Sequence, residues 1–430
     1  MSVIAESCRP GSKATLEIRE SGISPMHIVV ANDFAHVNGG MAQVAVRSAI
    51  GLAQRGYHVT FFAAVGPVDA AFDKAGVDVV FTDQYDIKTD PVRIRAASQG
   101  LWNFRAAARM KELLARLPAD RTIVHIHGWT KSLSSSFIRA ALDRGVRVVI
   151  TLNDYFFACP NGGFFNFTRG QACHLQPLSL ACLRENCDRD GYLEKIWRSA
   201  RQAIQNHIGI TQRSLLTFVT VSDFSETVLR EYLPPGAPLF RITNPCDLPQ
   251  SEPVPVARNV PFVFVGRLSA EKGLSLLAKA ARELDAPVVF VGDGPCREEI
   301  LNCNSKAVIT GWQSREQIST LLRSARCSVL PSLWYEAQPL SINEAASIGV
   351  PAIVPDQCAA AEMVENGVTG LWFKTGNCSD LRQKMELMLD NERASKMGCA
   401  AYERYWKQPF TLERHVHELE RCYASILASS

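Results

Sequence analysis

The sequence has no long apolar run and almost no excess of charge, and these two absences exclude two classes of protein. No stretch reaches the roughly 20 uninterrupted apolar residues that a membrane-spanning helix requires. Lysine and arginine number 46 against 43 aspartates and glutamates, so the net charge of +3 provides no global field to attract a nucleic acid. We therefore expect a protein that neither spans a membrane nor binds nucleic acid.

The first residues also lack the features of an export signal. Residues 1–25 are polar and of mixed charge, without a basic start followed by an apolar core. This segment is interpreted as a disordered leader and the protein as cytoplasmic. In that compartment the 13 cysteines, an odd number, are expected to be mostly reduced thiols packed as small apolar residues.

Strands and helices alternate in two series along the 430 residues, a length that suits two domains. A proline-rich stretch at 244–261 separates the two series and resembles a linker. The alternation predicts an α/β fold of two doubly wound Rossmann-like domains with a ligand crevice between them. The predicted domains are 26–248, with a cysteine-rich insert at about 155–190, and 249–408. A last helix at 409–430 can pack back on the first domain.

A basic loop, VGRLSAEKG, follows the first strand of the second domain. Gly266 permits close backbone approach there, and Arg267 and Lys272 place two cations before a helix. Guanidinium and ammonium groups beside a helix start suit a diphosphate. The alternative is a solvated surface loop.

Two further strand ends of the second domain carry glycine turns. Gly292 lies in VGDGP, which alone is an ordinary strand-end turn, and Gly311 and Trp312 lie in ITGW. Backbone groups and an indole at such an edge can meet a flat base. A core tryptophan is the alternative for Trp312.

Two carboxylates flank a predicted helix start in SLWYEAQPLSINEAASIGVP. Pro339 is predicted at the first helical position, which leaves the N–H groups of Leu340, Ser341 and Ile342 free for an anion. Glu336 precedes that start, and Glu344 lies about a turn and a half into the helix. Hydroxyl-binding carboxylates on both sides of a phosphate describe a nucleotide sugar, whereas a helix cap plus a surface glutamate is the alternative.

With these motifs the chain resembles the family-four type of retaining glycosyltransferases, which have the GT-B fold and include a bacterial branch that makes polysaccharides and lipid-linked glycans. The likeness rests on two glutamates separated by seven residues, on the Gly-Arg…Glu-Lys-Gly loop, on GDGP and ITGW, and on a glycine pair opening the first helix. These are Glu336 and Glu344; Gly266, Arg267, Glu271, Lys272 and Gly273; and Gly39 and Gly40.

The resemblance implies a role for each of these groups. Arg267 and Lys272 would bind the donor diphosphate, Glu344 the ribose, and Glu336 the hydroxyls of the donor sugar. The loop of Gly39 and Gly40 would approach the diphosphate and the acceptor. The family requires no metal for catalysis, which agrees with the lack of an Asp-x-Asp motif near the nucleotide loops.

The acceptor side is expected around two strand ends of the first domain. The resemblance places His127, in HIHGW, near the transferred sugar, where it would bond a hydroxyl or help to move the acceptor's proton; a structural histidine is the alternative, and His125 is the expected structural partner. Asn153 and Asp154 follow another strand, with Asn153 where relatives commonly have histidine. A second departure is the run of alanines at 359–361, where many relatives have two glycines.

Four cysteines crowd the irregular insert: Cys159, Cys173, Cys182 and Cys187. Four thiolates around zinc would hold such a loop, so a structural zinc site is one interpretation. Ordinary reduced thiols are nearly as well supported, and disulfides or an iron–sulfur cluster complete the alternatives.

A basic amphipathic helix is predicted in VRIRAASQGLWNFRAAARMKELLARL, with Ile94, Ala97, Leu101, Phe104 and Ala108 on one face. Residues 91–147 contain 11 lysines and arginines and only three acidic residues. Such a helix can rest on anionic lipid as a peripheral membrane contact. The plainer alternative is the solvated outer face of a domain helix.

Together these features predict transfer of a hexose from a nucleotide donor, a UDP- or GDP-hexose, to a glycan or lipid-linked glycan. The catalytic set would be His127, Glu336, Arg267 and Lys272, with anomeric configuration retained. The alternatives are a glycoside hydrolase, a sugar-nucleotide epimerase of the same fold, and a nucleotide-sugar-binding relative without turnover.

Overall fold

The first lobe is built on a parallel sheet. The computed structural model describes residues 26–211 and 213–428, so the predicted leader lies outside the described residues. The strands of this lobe, including a hairpin in the insert, are β1 (His27–Ala31), β2 (His58–Ala63), β3 (Asp78–Phe81), β4 (Thr122–Ile126), β5 (Arg147–Leu152), β6 (Phe165–Asn166), β7 (Gln171–Ala172), β8 (Leu216–Thr220) and β9 (Leu239–Arg241). Seven of them form one sheet in the order β3-β2-β1-β4-β5-β8-β9.

Helices cover both faces of this sheet, so the central strands are buried on each side. The helices are α1 (Gly40–Gln54), α2 (Ala71–Ala75), α3 (Arg93–Leu101), α4 (Phe104–Leu114), α5 (Ser136–Asp143), α6 (Leu180–Arg184), α7 (Tyr192–Ile204) and α8 (Asp223–Leu229). Alternate residues of β1 enter opposite cores: Val29 and Ala31 pack with α4 and α5, and Ile28 and Val30 pack with α1.

The second lobe repeats the design with a six-stranded parallel sheet. Its strands are β10 (Phe262–Val265), β11 (Val288–Val291), β12 (Val308–Ile309), β13 (Cys327–Val329), β14 (Ala352–Pro355) and β15 (Gly370–Phe373). Their order is β12-β11-β10-β13-β14-β15. The helices are α9 (Leu274–Glu283), α10 (Arg297–Cys303), α11 (Arg315–Arg323), α12 (Leu340–Ser347), α13 (Ala360–Met363), α14 (Cys378–Leu387) and α15 (Asn391–Lys407).

The chain then crosses back to the first lobe through a last helix, α16 (Leu412–Ala428). Its buried face, which includes Leu419 and Tyr423, shares a core with Ala45 and Leu52 of α1. The crossing is also held by His415, because one ring nitrogen lies 2.9 Å from the Thr243 carbonyl oxygen and the other 2.9 Å from the Ser48 hydroxyl.

The topology confirms the predicted α/β class with two doubly wound domains. Short helical turns of other types complete the described chain: Ala119–Arg121, Arg213–Leu215, Arg230–Tyr232, Val256–Arg258 and Ala270–Lys272 are 3-10 turns, and Gln205–Gly209 is a π turn. None of the helices formed by residues 26–211 and 213–428 combines the length and the apolar character needed to cross a bilayer.

Candidate functional site

Loops that follow strands of the two lobes meet in a crevice. In the linker, the Asn244 side-chain amide donates to the Asn153 side-chain oxygen after β5 at 3.0 Å, and the Asn244 backbone N–H donates to the Gln338 side chain before α12 at 2.8 Å. The ring of Tyr335, after β13, lies 6.3 Å between centroids from the ring of Tyr155 in the first lobe. Both lobes therefore line the same cleft.

Glycine turns in the second lobe bring three loops into contact. A Cβ on Gly292 would lie 2.0 Å from the Gly266 carbonyl oxygen, and one on Gly273 would lie 2.1 Å from the Pro331 carbonyl oxygen. Gly273 also has a φ of 65°, which disfavours other residues. These contacts stack the loops after β10, β11 and β13, so that the basic loop reaches the start of α12.

The Lys272 side chain reaches the loop that precedes α12. Its ammonium group donates to Glu336 Oε1 at 2.6 Å and stands 5.1 Å from the centre of the Trp334 ring. The Ser332 hydroxyl donates to the same glutamate oxygen. The two side chains of the ion pair are only 17% and 8% exposed. A cation and a carboxylate of the predicted donor site thus form a largely buried pair at the mouth of the helix.

The Arg267 side chain is more exposed than that of Lys272. Its guanidinium donates to Glu271 Oε1 at 2.9 Å, yet its side chain is 57% exposed while that of Glu271 is fully buried. The Leu333 N–H donates to the Glu271 carbonyl oxygen at 2.9 Å, which ties this loop to the one before α12. Glu271 also receives Arg189 from the first lobe at 2.9 Å, a residue that no sequence motif indicated.

The prediction for Pro339 is wrong by one residue. Helix α12 begins at Leu340, and Pro339 is the N-cap with φ of −79° and ψ of 99°. Proline fixes φ but not ψ, and an extended ψ keeps it outside the helix. The N–H groups of Leu340 and Ser341 belong to the first turn, which lacks acceptors within the helix. The N–H of Ile342 was also predicted to be free, and this is wrong, because it donates to the Pro339 carbonyl oxygen at 3.2 Å.

Glu344 is flanked by two arginines that the sequence analysis did not single out. Burial raises the pKa of Glu344, and Arg315 and Arg47 act against that shift. Both arginines meet at the linker: Arg315 donates to the Asp247 carbonyl oxygen at 2.8 Å, and Arg47 lies 3.9 Å from the Asp247 carboxylate. Arg47 Nη1 and Arg315 Nε are buried without an acceptor among the described residues. A ligand oxygen near Glu344 would satisfy them.

His125 and His127 lie on the same side of the sheet, with ring centroids 4.4 Å apart, but have different surroundings. His125 is bonded at both nitrogens, to the Tyr423 hydroxyl at 2.6 Å and the Thr151 hydroxyl at 2.7 Å. Neither ring nitrogen of the buried His127 has a partner in the described chain. Burial, and then His125 and His415, lower the pKa of His127 well below its ordinary value. Its neutral ring can therefore donate one hydrogen bond and accept another.

Asn153 and Asp154 present two different groups to the cleft. The Asn153 side-chain N–H₂ group is buried and has no acceptor among residues 26–211 and 213–428. Burial raises the pKa of Asp154 to about 6, although the Phe156 N–H donates to its carboxylate at 3.0 Å and Lys131 and Arg201 favour its charge. The neighbouring Asp33 also raises this pKa. Asp154 is thus a carboxylate that titrates close to neutrality.

Several residues predicted to contact the donor face open space. A Cβ on Gly39 or Gly40 would meet no other atom within 4 Å in the described structure. Trp312 is 81% exposed, so it is not a core residue and its ring is free to stack on a base. Gly311, next to it, has a φ of 75° and pairs with Gly292 in an isolated bridge.

The alanines that replace the expected glycine pair fit the local backbone. Ala359 has a φ of −59°, so the position does not need glycine. Its N–H donates to the Glu336 carbonyl oxygen at 3.2 Å. Close by, the Glu362 carboxylate accepts the Asp223 N–H at 3.1 Å and the Phe224 N–H, both from the first lobe. The alanine run therefore lies against the loop of Glu336 without backbone strain.

The cysteines of the insert surround a buried lysine. The Lys195 ammonium donates to Cys182 Sγ at 3.3 Å. The Cys159 thiol donates to the Asn161 side-chain oxygen at 3.0 Å, and the Asn161 N–H₂ group donates to Cys187 Sγ at 3.5 Å. Burial raises the pKa of Cys187 to about 11. The cluster is therefore held by hydrogen bonds among cysteine side chains, an amide and one ammonium group.

This arrangement gives no support to the zinc interpretation. No three histidine, cysteine, aspartate or glutamate side chains within the described ranges are placed to hold a metal ion. Cys159, Cys173, Cys182 and Cys187 are all free thiols. An ammonium group beside Cys182 would repel a cation at that point.

The basic segment is two helices rather than the one that was predicted. Helix α3 ends at Leu101 and α4 begins at Phe104, because the Asn103 side chain accepts the Ala106 N–H and caps the second helix. The predicted apolar face is not a core face. Ile94 and Phe104 are 84% and 77% exposed, whereas Ala96, Ala106, Met110 and Leu114 are buried.

Two family profiles match the chain, one in each lobe. Residues 39–182 match the glycosyl transferase 4-like domain, and residues 252–404 match the glycosyl transferases group 1 domain. The solved structure of sucrose-phosphate synthase from Thermosynechococcus elongatus has the same fold, with a TM-score of 0.69 and 17% identity over 94% of this chain and 100% of that one. Anabaena HepE in complex with UDP-glucose gives a TM-score of 0.62 and 15% identity over 93% of this chain and 100% of that one.

Curated relatives match over shorter segments. A GDP-mannose-dependent alpha-mannosyltransferase of Corynebacterium glutamicum is 33% identical over 168 residues, which is 39% of this chain and 40% of the relative. A UDP-Gal:alpha-D-GlcNAc-diphosphoundecaprenol alpha-1,3-galactosyltransferase of Escherichia coli is 33% identical over 145 residues, 30% of this chain and 37% of the relative. The chain thus aligns with about two-fifths of their length. The two domains and the fold show that the chain belongs to the glycosyltransferases with the GT-B fold.

Proposed function

We propose that the protein transfers a hexose from a nucleotide diphosphate sugar to a hydroxyl of a glycan or lipid-linked glycan. One observation carries the proposal: Lys272 is paired at 2.6 Å with Glu336, in the loop that leads into α12. Cations and free N–H groups at a helix start favour a phosphate, and the adjacent carboxylate can accept sugar hydroxyls. Glu344, deeper on α12, would bind the ribose.

The charges of the donor loop would act on the leaving diphosphate. Lys272 is fixed by Glu336, while Arg267 is exposed enough to turn toward a ligand. Charge that develops on the leaving phosphate is best stabilised by groups that are already oriented. We therefore assign Arg267 and Lys272 to the departing diphosphate, and Glu336 to the hydroxyls of the donor sugar.

His127 would contact the transferred sugar from the first lobe. Its two buried nitrogens lack partners in the described part of the chain, and buried polar groups are normally bonded. Since the ring is neutral, one nitrogen would donate to a ligand oxygen and the other would accept from a ligand hydroxyl. Asp154, with a pKa of about 6, and the Asn153 amide would bind the acceptor hydroxyl.

Retention and metal independence are testable parts of the proposal. We propose front-face departure of the diphosphate assisted by Arg267 and Lys272, with no metal ion. Proton NMR of the first product formed should show the same anomeric configuration as the donor, and excess EDTA should leave the initial rate unchanged. An inverted product, or activity lost with EDTA and restored by a divalent cation, would contradict the mechanism.

The donor is proposed to be a UDP- or GDP-hexose. The relatives named for GDP-mannose and UDP-Gal, and the HepE complex with UDP-glucose, support this class. Thermal shift with UDP-, GDP- and ADP-linked glucose, galactose and mannose should single out one nucleotide. Stabilisation by none of them would refute the proposal, and donor turnover without any acceptor would indicate an epimerase or a hydrolase. Binding without turnover would indicate a non-catalytic relative.

The acceptor partner is proposed to be a glycan at the inner face of the membrane. Helices α3 and α4 expose Ile94 and Phe104 beside Arg93, Arg105 and Arg109, a pattern suited to anionic lipid. Sedimentation with vesicles of phosphatidylglycerol should carry the protein down at low salt and release it at high salt. Ile94→Ser with Phe104→Ser should weaken this binding, and no binding at low salt would refute the membrane contact.

A further inference from the structure

An arginine of the insert in the first lobe reaches the basic loop of the second lobe. Arg189 follows the last cysteine of the insert, and its guanidinium donates to Glu271 Oε2 at 2.9 Å. The same guanidinium lies 4.5 Å from the centre of the Phe167 ring, also in the insert. It is therefore held from its own lobe while its charge is presented to the other.

Glu271 connects this arginine with Arg267. Its carboxylate is fully buried; one oxygen accepts the Arg267 guanidinium at 2.9 Å and the Ser269 hydroxyl at 2.7 Å, and the other oxygen accepts Arg189. Burial acts to raise the pKa of Glu271, but Arg189, Ser269 and Arg267 outweigh it and the pKa lies below its ordinary value. The group is an ionised carboxylate with an arginine on each side.

The two arginines differ in what they can do. The Arg267 side chain is 57% exposed, whereas Arg189 is 32% exposed and packed on an aromatic ring. If Arg267 were the sole cation on a buried carboxylate, moving it to a phosphate would leave a buried charge without a counterion, which is costly. A second arginine that stays in place removes that cost.

We propose that Arg189 is a positioning residue for the donor diphosphate: it retains the charge of Glu271 so that Arg267 can turn to the phosphates. The inference rests on the proposed function, because it deepens the role of the same site. It makes the cysteine-rich insert a wall of the donor pocket as well as part of the acceptor lobe. The ligand class it concerns is a nucleoside diphosphate.

The test is Arg189→Gln in the full chain, measured by calorimetric titration with UDP, GDP, uridine and guanosine. We expect the Kd of the preferred nucleoside diphosphate to rise about tenfold, the Kd of the matching nucleoside to stay within about twofold, and the donor KM to rise with little change in kcat. Arg189→Lys should recover most of the affinity because the charge is kept. Arg169→Gln is the matched control, since it removes an arginine of the same insert that pairs with Glu185 at the surface.

A second variant separates positioning from folding. Arg189→Gln combined with Glu271→Gln removes both charges, so the double variant should bind the diphosphate more tightly than Arg189→Gln alone. Unchanged diphosphate affinity in Arg189→Gln, or equal losses for nucleoside and diphosphate, would overturn the inference while leaving the proposed function intact. Failure of the unaltered protein to bind either UDP or GDP would overturn the proposed function itself.

Discussion

The two sides of the crevice satisfy their polar groups in different ways. On the donor side, Lys272 and Arg267 are bound to Glu336 and Glu271 before any ligand arrives. On the acceptor side, the ring nitrogens of His127 and the N–H₂ group of Asn153 are buried with no hydrogen-bond partner in the described chain. A ligand at Arg267 and Lys272 must compete with existing ion pairs, whereas a ligand on the acceptor side completes unfilled hydrogen bonds. The donor side therefore depends on charge, and the acceptor side on shape and hydrogen bonding.

The largest expected effect tests the donor half of this comparison. Lys272→Ala should lower kcat/KM about 10³-fold, because it removes the buried cation at the mouth of α12 and leaves Glu336 uncompensated. Lys306→Ala is the control, because its pair with Asp285 is exposed and should change kcat/KM less than about twofold. Steady-state kinetics with the preferred donor decide the point, and equal effects of the two variants would remove Lys272 from the site.

The next prediction contrasts the two histidines of β4 and its end. His127→Ala should lower kcat/KM about 10²-fold with little loss of thermal stability, because the ring has no protein partner to lose among the described residues. His125→Ala should do the reverse and lower Tm, because it leaves the buried Tyr423 and Thr151 hydroxyls without their partner. Paired kinetics and calorimetry measure both. Lower Tm with normal kinetics in His127→Ala would make this histidine structural.

The pH dependence should report the acceptor side. If the acceptor hydroxyl is bound by ionised Asp154, kcat/KM should fall as the pH drops below about 6, the pKa of this carboxyl. Asp154→Asn should abolish that acid limb and lower activity about tenfold near pH 7. An acid limb that survives in Asp154→Asn would assign it to another group.

The same shift makes an opposite prediction for stability. The folded-state pKa of Asp154 is raised above its ordinary value of 3.8, so protonation stabilises the folded state, and this contribution is lost as the pH rises through about 6. Asp154→Asn should therefore raise Tm at pH 8 and have little effect on Tm at pH 3. A variant that is less stable at pH 8 would contradict this account.

The smallest expected effect concerns Trp312. Trp312→Ala should weaken binding of the nucleoside about fivefold, because base stacking on an aromatic ring contributes on the order of 1 kcal/mol. Since the ring is 81% exposed, Tm of the ligand-free protein should not fall. Calorimetric titration with nucleoside and with inorganic diphosphate separates the base from the phosphates. Unchanged nucleoside affinity would place the base elsewhere.

Most of the donor side could be predicted from the sequence because its residues are local. Arg267 and Lys272 share one loop and Glu336 and Glu344 share one loop and helix, so their spacing alone indicates a common site. Arg47, Arg189 and Arg315 could not be found in this way. Their roles come from contacts between lobes or with the linker, and no periodicity records a partner that lies distant in the chain.

The fold could also be predicted from local patterns, and the points that the prediction missed have physical causes. The alternation of strands and long helices indicated two doubly wound domains, but the edge strands β3 and β9 are short and only partly buried, which weakens their signal. The basic segment has helical periodicity on both sides of Trp102. The N-cap residue Asn103 was the signal in the sequence that a second helix begins there. The structural zinc site stays a prediction from the four cysteines, and no sequence pattern indicated that Lys195 would donate to one of them.

The return of α16 to α1 makes the first lobe depend on a segment that is synthesised after the second lobe. Residues 412–428 leave the ribosome after the whole second lobe has been made, and until then Ala45, Leu52 and their neighbours have no cover on that face. The core of the first lobe therefore stays incomplete while the second lobe is synthesised. This reverses the usual order, in which the N-terminal domain completes its folding first. A fragment that stops at the linker would expose this apolar surface and should be prone to aggregate.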